Sequence, residues 1–182
     1  GKTSLLDAIR NTSVVSGVGA DAVFGGDLLG NMWRFDLTTN SVIKLASLTD
    51  YLGAAQPITS RPDVGKCETN YMVYVGTGKY LGLSDLSDTQ RQTMYGIKDT
   101  ATAIGTFRGS TAVQQSFFPL GGGGYTITNN PVSLSTVDGW YVDFDQNSGE
   151  RVNLDPALVF GNLLVVTNQP TNISACTTGG VS

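Results

Sequence analysis

Few residues in this sequence have the type and spacing that chemistry needs. Asp85 and Asp88 lie three apart in a Leu-Ser-Asp loop. Paired acids of this kind serve glycoside hydrolysis or calcium ligation. Nothing beside them in sequence would raise a carboxyl pKa for acid–base work, so the plainer reading is two solvated loop carboxylates. Asp143-x-Asp145-x-Asn147-x-Gly149-Glu150 alternates oxygen ligands as a calcium loop does. Ser148 and Leu154 stand where an EF-hand loop needs Gly and Glu, and a polar hairpin turn explains the stretch more simply. Gly1-Lys2-Thr3-Ser4 matches the end of a phosphate-binding loop, but no nucleotide-binding α/β pattern follows it. Trp33, Tyr74, Tyr95, Trp140 and Tyr141 offer faces on which sugars stack. Their alternating strand positions are those of packing residues. No residue is assigned a catalytic, cofactor-binding or metal-binding role.

Composition narrows the classes further. The 182 residues include no His, which excludes a His-based triad and imidazole zinc sites. No G-x-S-x-G elbow is present. Two cysteines cannot build a four-thiolate site. Cys67 and Cys176 fit either one disulfide in an oxidising compartment or two buried thiols. A net charge of −4 and a pI near 4.6 argue against a nucleic-acid surface. No apolar run reaches the ~20 residues of a membrane helix. Asn11-Thr12-Ser13 and Asn172-Ile173-Ser174 match glycosylation acceptors, triplets that arise readily by chance in such a chain. Only 14% of residues are charged, and 23 are Gly. Low charge with many Gly, Thr, Ser and Asn suits a secreted, extracellular or periplasmic β-protein. Residues 1–182 read as one partial domain, a fragment of a larger chain.

The elements that must position these residues are short strands. Residues 3–10 have spacing for one or two helical turns. Ala22–Gly25, Met32–Leu37 and Val42–Leu45 read as a three-stranded meander, joined by turns at 26–31 and 38–41. Tyr71–Val75 and Gln92–Ile97 read as partner strands around a polar segment, Leu81–Arg91. Val113–Phe118 reads as extended, Gly121–Gly124 as a flexible run, and Tyr125–Thr128 as β-prone. Trp140–Phe144 and Glu150–Leu154 read as a hairpin closed by Asp145–Gly149. Leu163–Thr167 reads as a final buried strand, and Gln169–Ser182 as loop. The only internal echo is Val73–Gly76 against Val23–Gly26. Blades of roughly 40–50 residues would give about four in a propeller.

Four stretches in series carry a resemblance to a family. They are Gly25-Gly26-Asp27-Leu28-Leu29-Gly30-Asn31-Met32-Trp33-Arg34-Phe35-Asp36-Leu37 and Gln56-Pro57-Ile58-Thr59-Ser60-Arg61-Pro62. Next come Val73-Tyr74-Val75-Gly76-Thr77-Gly78-Lys79-Tyr80-Leu81 with Gln92-Thr93-Met94-Tyr95-Gly96-Ile97. Last are Gly139-Trp140-Tyr141-Val142-Asp143-Phe144, Ser148-Gly149-Glu150-Arg151-Val152 and Asp155-Pro156. In this order the chain resembles the C-terminal propeller of PilY/PilC-type type IV pilus tip proteins.

The resemblance implies an all-β fold, part of a modified β-propeller built of short antiparallel meanders and limited to its later blades. It implies a non-enzymatic role in pilus assembly, retraction control and surface adhesion, at the pilus tip or cell surface. It implies minor pilins or a tip complex as partners, with the rest of the propeller and a host or abiotic surface ligand beside them. Some members carry an Asp-x-Asp/Asn-x-Asp-Gly calcium loop. None is present here, so no metal residue carries over, and calcium is left to other parts of the full-length protein. Binding is expected from loops on a rigid scaffold, Leu81–Arg91 and Ser116–Asn130 above all. Two alternatives stand beside this reading: a quinoprotein-like propeller dehydrogenase fragment, and a structural filament or carbohydrate-binding β-module.

Overall fold

The computed structural model describes residues 14–17 and 19–170. The helical turns expected over 3–10, the loop expected beyond 170 and Cys176 lie outside the described residues. The strands in chain order are β1 (Val14–Gly17), β2 (Gly19–Gly26), β3 (Asn31–Asp36), β4 (Ser41–Ser47), β5 (Asp63–Cys67), β6 (Asn70–Gly76) and β7 (Thr93–Lys98). They continue as β8 (Gly105–Thr106), β9 (Val113–Gln115), β10 (Phe117–Pro119), β11 (Tyr125–Ile127), β12 (Gly139–Asp143), β13 (Ala157–Val159) and β14 (Asn162–Leu164).

Two five-stranded sheets dominate, in the orders β1-β2-β3-β4-β8 and β5-β6-β7-β12-β9. They are one plan built twice: four antiparallel strands, then a short edge strand running parallel to the fourth. The expected meander at 22–46 is β2, β3 and β4, and the expected pair is β6 and β7. In place of about four blades of 40–50 residues, the described residues form these two sheets and two hairpins, β10–β11 and β13–β14. The difference lies in residues 99–138. They do not build a blade; they run as a strap that gives β8 to the first sheet and β9 to the second.

The echo between Val23–Gly26 and Val73–Gly76 is the visible part of a longer repeat. Ile58 N–H donates to the Asp27 carbonyl at 3.0 Å, and Val152 N–H to the Thr77 carbonyl at 2.9 Å. A Cβ on Gly26 would overlap Ile58, and one on Gly76 would overlap Val152. Glycine is needed at both sites because the next blade's entry segment crosses there. Each crossing ends in a proline, Pro62 before β5 and Pro156 before β13. Asp63 then pairs with Tyr74 as Ala157 pairs with Leu164. The β13–β14 hairpin therefore stands where β5–β6 stands, as the start of a third blade. β5 also lies against both β1 and β13.

Core packing follows from blades covered on both faces. Phe24, Met32, Leu45 and Leu48 of the first blade meet Val73, Val75, Tyr95, Ile97 and Tyr141 of the second, with Phe107 of the strap sealed among them. The other face of the second blade puts Met94, Val142 and Phe144 with Val152, and Leu163 and Val165 pack against them.

Four expectations are corrected. Trp140–Phe144 and Glu150–Leu154 do not form a hairpin. β12 is flanked by β7 and the parallel β9, and Arg151 forms a bridge with Asn168 instead. The expected final strand is not buried along its length: Leu164 is 57% and Val166 48% exposed. Its regular part pairs with β13, a strand that local pattern did not reveal. Val113–Phe118 breaks at Ser116 into β9 and β10, and Gly121–Gly124 closes the β10–β11 hairpin. Cys67, expected as a buried thiol if not in a disulfide, is instead an exposed thiol, because it ends β5 at the turn into β6.

Candidate functional site

The C-terminal ends of β2, β4, β6 and β12 and the N-terminal ends of β3 and β7 face one way. Their connections meet at this loop end, over the junction of the two blades. Beneath them lies a buried polar seam centred on Arg108 of the strap. The Arg108 guanidinium is bidentate to Asp143, with Nη2–Oδ1 at 2.6 Å and Nη1–Oδ2 at 3.1 Å. Its Nε donates to the Thr49 carbonyl of the first blade, and its plane lies 4.5 Å over the Tyr141 ring. The Thr93 hydroxyl donates to Asp143 Oδ1 at 2.7 Å and accepts from Gln56 Nε2 at 2.7 Å. Tyr95 Oη donates to Gln56 Oε1 at 2.5 Å. Burial opposes the Arg108 charge, but the hydrogen bonds and field of Asp143 outweigh it and hold its pKa above the ordinary value. Burial pushes the Tyr95 phenol far up, so it stays protonated as a donor. Taking such a pair out of water costs desolvation, which the two-point geometry and the further hydrogen bonds offset.

The expected binding loop Leu81–Arg91 sits at this end and carries a short 3-10 turn, Leu83–Ser87. Arg151, 1% exposed, organises it from below. Its Nη1 donates to the Lys79 and Asp85 carbonyls at 2.8 and 2.9 Å, Nη2 to Asp88 at 2.5 Å, and Nε to Gly149 at 2.8 Å. Asp85 closes the loop from within: its carboxylate accepts the Leu81 and Gly82 N–H groups at 2.8 and 3.2 Å and pairs with Lys79 Nζ at 3.3 Å. The Leu81 N–H leads the contacts that lower its pKa. Asp88 accepts from Gln90 N–H at 2.9 Å. The two acids thus do separate capping work and do not face one substrate.

The other expected loop, Ser116–Asn130, is the β10–β11 hairpin. Gln115 Oε1 fixes its base by accepting from Thr128 Oγ1 at 2.7 Å and Asn130 N–H at 3.0 Å. The hairpin roofs an apolar cleft of about 690 Å³ whose walls include Phe117, Ile127, Trp140, Val142 and Leu163. A smaller, more polar cleft of about 390 Å³ lies between Asp50, Tyr51, Gln90, Arg91, Asp145 and Asn147. The structure therefore assigns the two expected loops to different surfaces.

The sequence motifs fall apart in space. Asp143 points into the seam, whereas Asp145 is exposed and Asn147 Nδ2 donates to Glu150 at 2.9 Å. Among the described residues, no group of three His, Cys, Asp or Glu converges as a metal site would require. Tyr95 and Tyr141 are core residues; the Trp33 indole N–H donates to Asp27 Oδ2 at 2.9 Å, and the Trp140 ring lies over Gly96. Of the residues that matter most here, Arg108 had no sequence signal, and Gln56 was marked only as the first residue of a resemblance stretch. Their partners lie 35 and 37 residues away. What the arrangement can do is hold loops still and present them.

Repeated antiparallel blades, glycine crossings and a stiffened loop end define a β-propeller scaffold. The family model described as the PilY1 beta-propeller domain matches residues 43–117. A Xylella fastidiosa protein named as a type IV pilus biogenesis factor PilY1 homolog is 29% identical over 182 residues, covering 88% of this chain and 12% of its own length. The type IV pilus biogenesis factor PilY1 of Pseudomonas aeruginosa PAO1 is 32% identical over 213 residues, covering 88% of this chain and 18% of its own. The crystal structure of the Pseudomonas aeruginosa PilY1 C-terminal domain superposes with a TM-score of 0.71 at 25% identity, over 86% of this chain and 43% of that one. Over most of its length this chain is similar to the C-terminal propeller of PilY1 proteins. It spans less than a fifth of the length of these curated relatives.

Proposed function

We propose that this chain is part of the propeller scaffold of a type IV pilus biogenesis factor, acting by binding and not by catalysis. The protein works at the cell surface or pilus tip, supports pilus assembly, opposes retraction and contributes to adhesion. Its partners are minor pilins or a tip complex, and no cofactor takes part within this segment. The observation that carries the reading is the shared fold with a PilY1 C-terminal domain over 86% of the chain. The site agrees with it. Arg108, Asp143, Arg151 and Asp85 are all spent on internal bonds that stiffen the loop end.

The test is genetic and uses the full-length protein. Deleting its gene should strip pili from the surface while pilin stays in the cell, and restoring the gene should return them. Unchanged pilus numbers in the deletion strain would overturn the proposal.

A further inference from the structure

The turns after β2 and β4 are one object built twice. In Asp27-Leu28-Leu29-Gly30-Asn31, Asp27 Oδ1 accepts the N–H groups of Leu29 and Asn31, each at 2.9 Å. Gly30 N–H donates to the Asp27 carbonyl at 3.2 Å, with φ at 75°. In Asp50-Tyr51-Leu52-Gly53-Ala54, Asp50 Oδ1 accepts from Leu52 and Ala54, again each at 2.9 Å. Gly53 N–H donates to the Asp50 carbonyl at 3.0 Å, with φ at 84°. A third tip, Tyr80-Leu81-Gly82, repeats the Tyr-Leu-Gly of the second, and Asp85 caps it from inside.

In all three the carboxylate turns inward and two large apolar residues turn outward. Leu28 and Leu29 are 55% and 73% exposed, Tyr51 and Leu52 58% and 76%, Tyr80 and Leu81 49% and 67%. Capping fixes the backbone of such turns without any demand on the residues at the tip. The turn geometry therefore does not require apolar residues at the tips. The feet of the three tips are tied to one short stretch, residues 56–59, which brings the turns to the same end of the blades. Gln56 N–H donates to the Leu48 carbonyl at the foot of the second turn, at 3.1 Å, and Ile58 N–H to Asp27 of the first at 3.0 Å. Gly78 N–H donates to the Pro57 carbonyl at 2.7 Å, and Thr59 Oγ1 to the Gly78 carbonyl at 2.8 Å, below the third.

We propose that these three tips form a docking surface for a folded protein that offers an apolar recess bordered by Lys and Arg. Rigid aromatic and leucine side chains on fixed backbones are what buried interface anchors consist of. The charge around the tips sets the rim of the partner. The loop end carries Asp27, Asp50, Asp85, Asp88, Asp143, Asp145 and Glu150 against Lys79, Arg91, Arg108 and Arg151; with the buried Asp50, Asp85, Asp143 and Arg151 set aside, carboxylates still lead, Lys79 is paired with Asp85, and Arg91 stacks on Tyr51 at 4.3 Å. That excess of carboxylate complements a basic rim and opposes an anionic bilayer. Contiguous exposed apolar area with polar surroundings marks such contacts.

The experiment places p-benzoylphenylalanine at Leu29, Leu52 or Leu81 of the full-length protein in cells that produce it. Phe160, fully exposed in the turn between β13 and β14, is the control position. Irradiation should join all three tips to one identified protein, at a stretch bordered by Lys or Arg, and Phe160 should not join it. The triple variant Leu29→Ser, Leu52→Ser, Leu81→Ser should weaken binding of that purified partner at least about tenfold, with its melting temperature kept. Added salt should weaken the wild-type complex as well. If the triple variant fails to fold, Leu52→Ser alone decides. Crosslinks to lipid, to another part of the same polypeptide, to a different product from each tip or to nothing would overturn the proposal, as would unchanged affinity. A common partner foreign to the pilus machinery would leave this surface standing while the pilus reading fell.

Discussion

At the scale of single residues, the loop end is held by charges kept largely out of solvent. Arg108 and Asp143 are 13% and 5% exposed at the side chain and share two hydrogen bonds. Removing one member leaves the other charged and dry, so Arg108→Leu should cost about 3–5 kcal/mol of stability. Urea denaturation of the full-length protein, followed at this domain, reads the loss. A second expectation concerns acid. Burial pulls the Asp27 and Asp50 carboxyls upward, but the hydrogen bonds they accept, from Asn31, Trp33 and Leu29 and from Gln90, Ala54 and Leu52, win and hold both below 3.8. A carboxylate whose folded pKa is depressed stabilises the fold above its unfolded pKa and loses that contribution as pH falls through the folded value. The loop end should thus be at full strength above pH 3.8 and loosen below it. Thermal melts from pH 5 down to 2 should fall more steeply for the wild type than for Asp27→Asn with Asp50→Asn. Parallel slopes would count against these caps. The Arg108–Asp143 pairing was not readable in sequence, because it joins segments that local pattern does not connect, whereas the turn at 26–31 that Asp27 caps was legible as a turn.

At the scale of elements, what could be read was whatever local pattern decides. Met32–Leu37 alternates and is bounded by Gly-Asn and Thr-Asn turns, so β3 was legible together with its neighbours. Tyr71–Val75 and Gln92–Ile97 were legible as apolar runs. β5 was not, because Asp63-Val64-Gly65-Lys66-Cys67 lies half-exposed and carries little apolar pattern. The false hairpin at 140–154 had a sound turn signal in Asp145–Gly149, but the strand beside β12 comes from residues 113–115, brought there by the strap. The strap is pinned along its length. Arg34 Nε holds Asp99 at 2.9 Å, Arg108 holds Asp143, and Lys98 N–H returns to the Asp138 carbonyl at 2.7 Å. The repeat also yields a prediction. Gly76→Ala would drive a Cβ into Val152, so it should destabilise the fold by about 1–3 kcal/mol. Val152→Ala in the same chain should recover part of that loss in a double-mutant cycle. Simple additivity of the two changes would mean that the crossing is not the contact described here.

At the scale of the whole molecule, two blades and the start of a third form a rack for loops. The strap clasps the blades at one seam, Arg151 stiffens the largest loop above it, and three capped turns lift leucines and tyrosines into solvent. A rack of this kind is what the proposed binding role would use, and among the described residues its acids do not gather around a common point. The family resemblance was legible because its motifs mark crossings and turns, the places where glycine, proline and aspartate are structurally required. The surface those turns present was not, since exposure is a property of the assembled blades.

Pilus counts on cells whose only copy of the full-length protein carries chosen substitutions test the account most directly. Leu29→Ser, Leu52→Ser and Leu81→Ser together should remove most surface pili at unchanged protein level, whereas Phe160→Ser, at the exposed β13–β14 turn, should leave them in place. Pili that survive the loss of all three tips, or vanish with Phe160→Ser, would contradict a scaffold that works by docking.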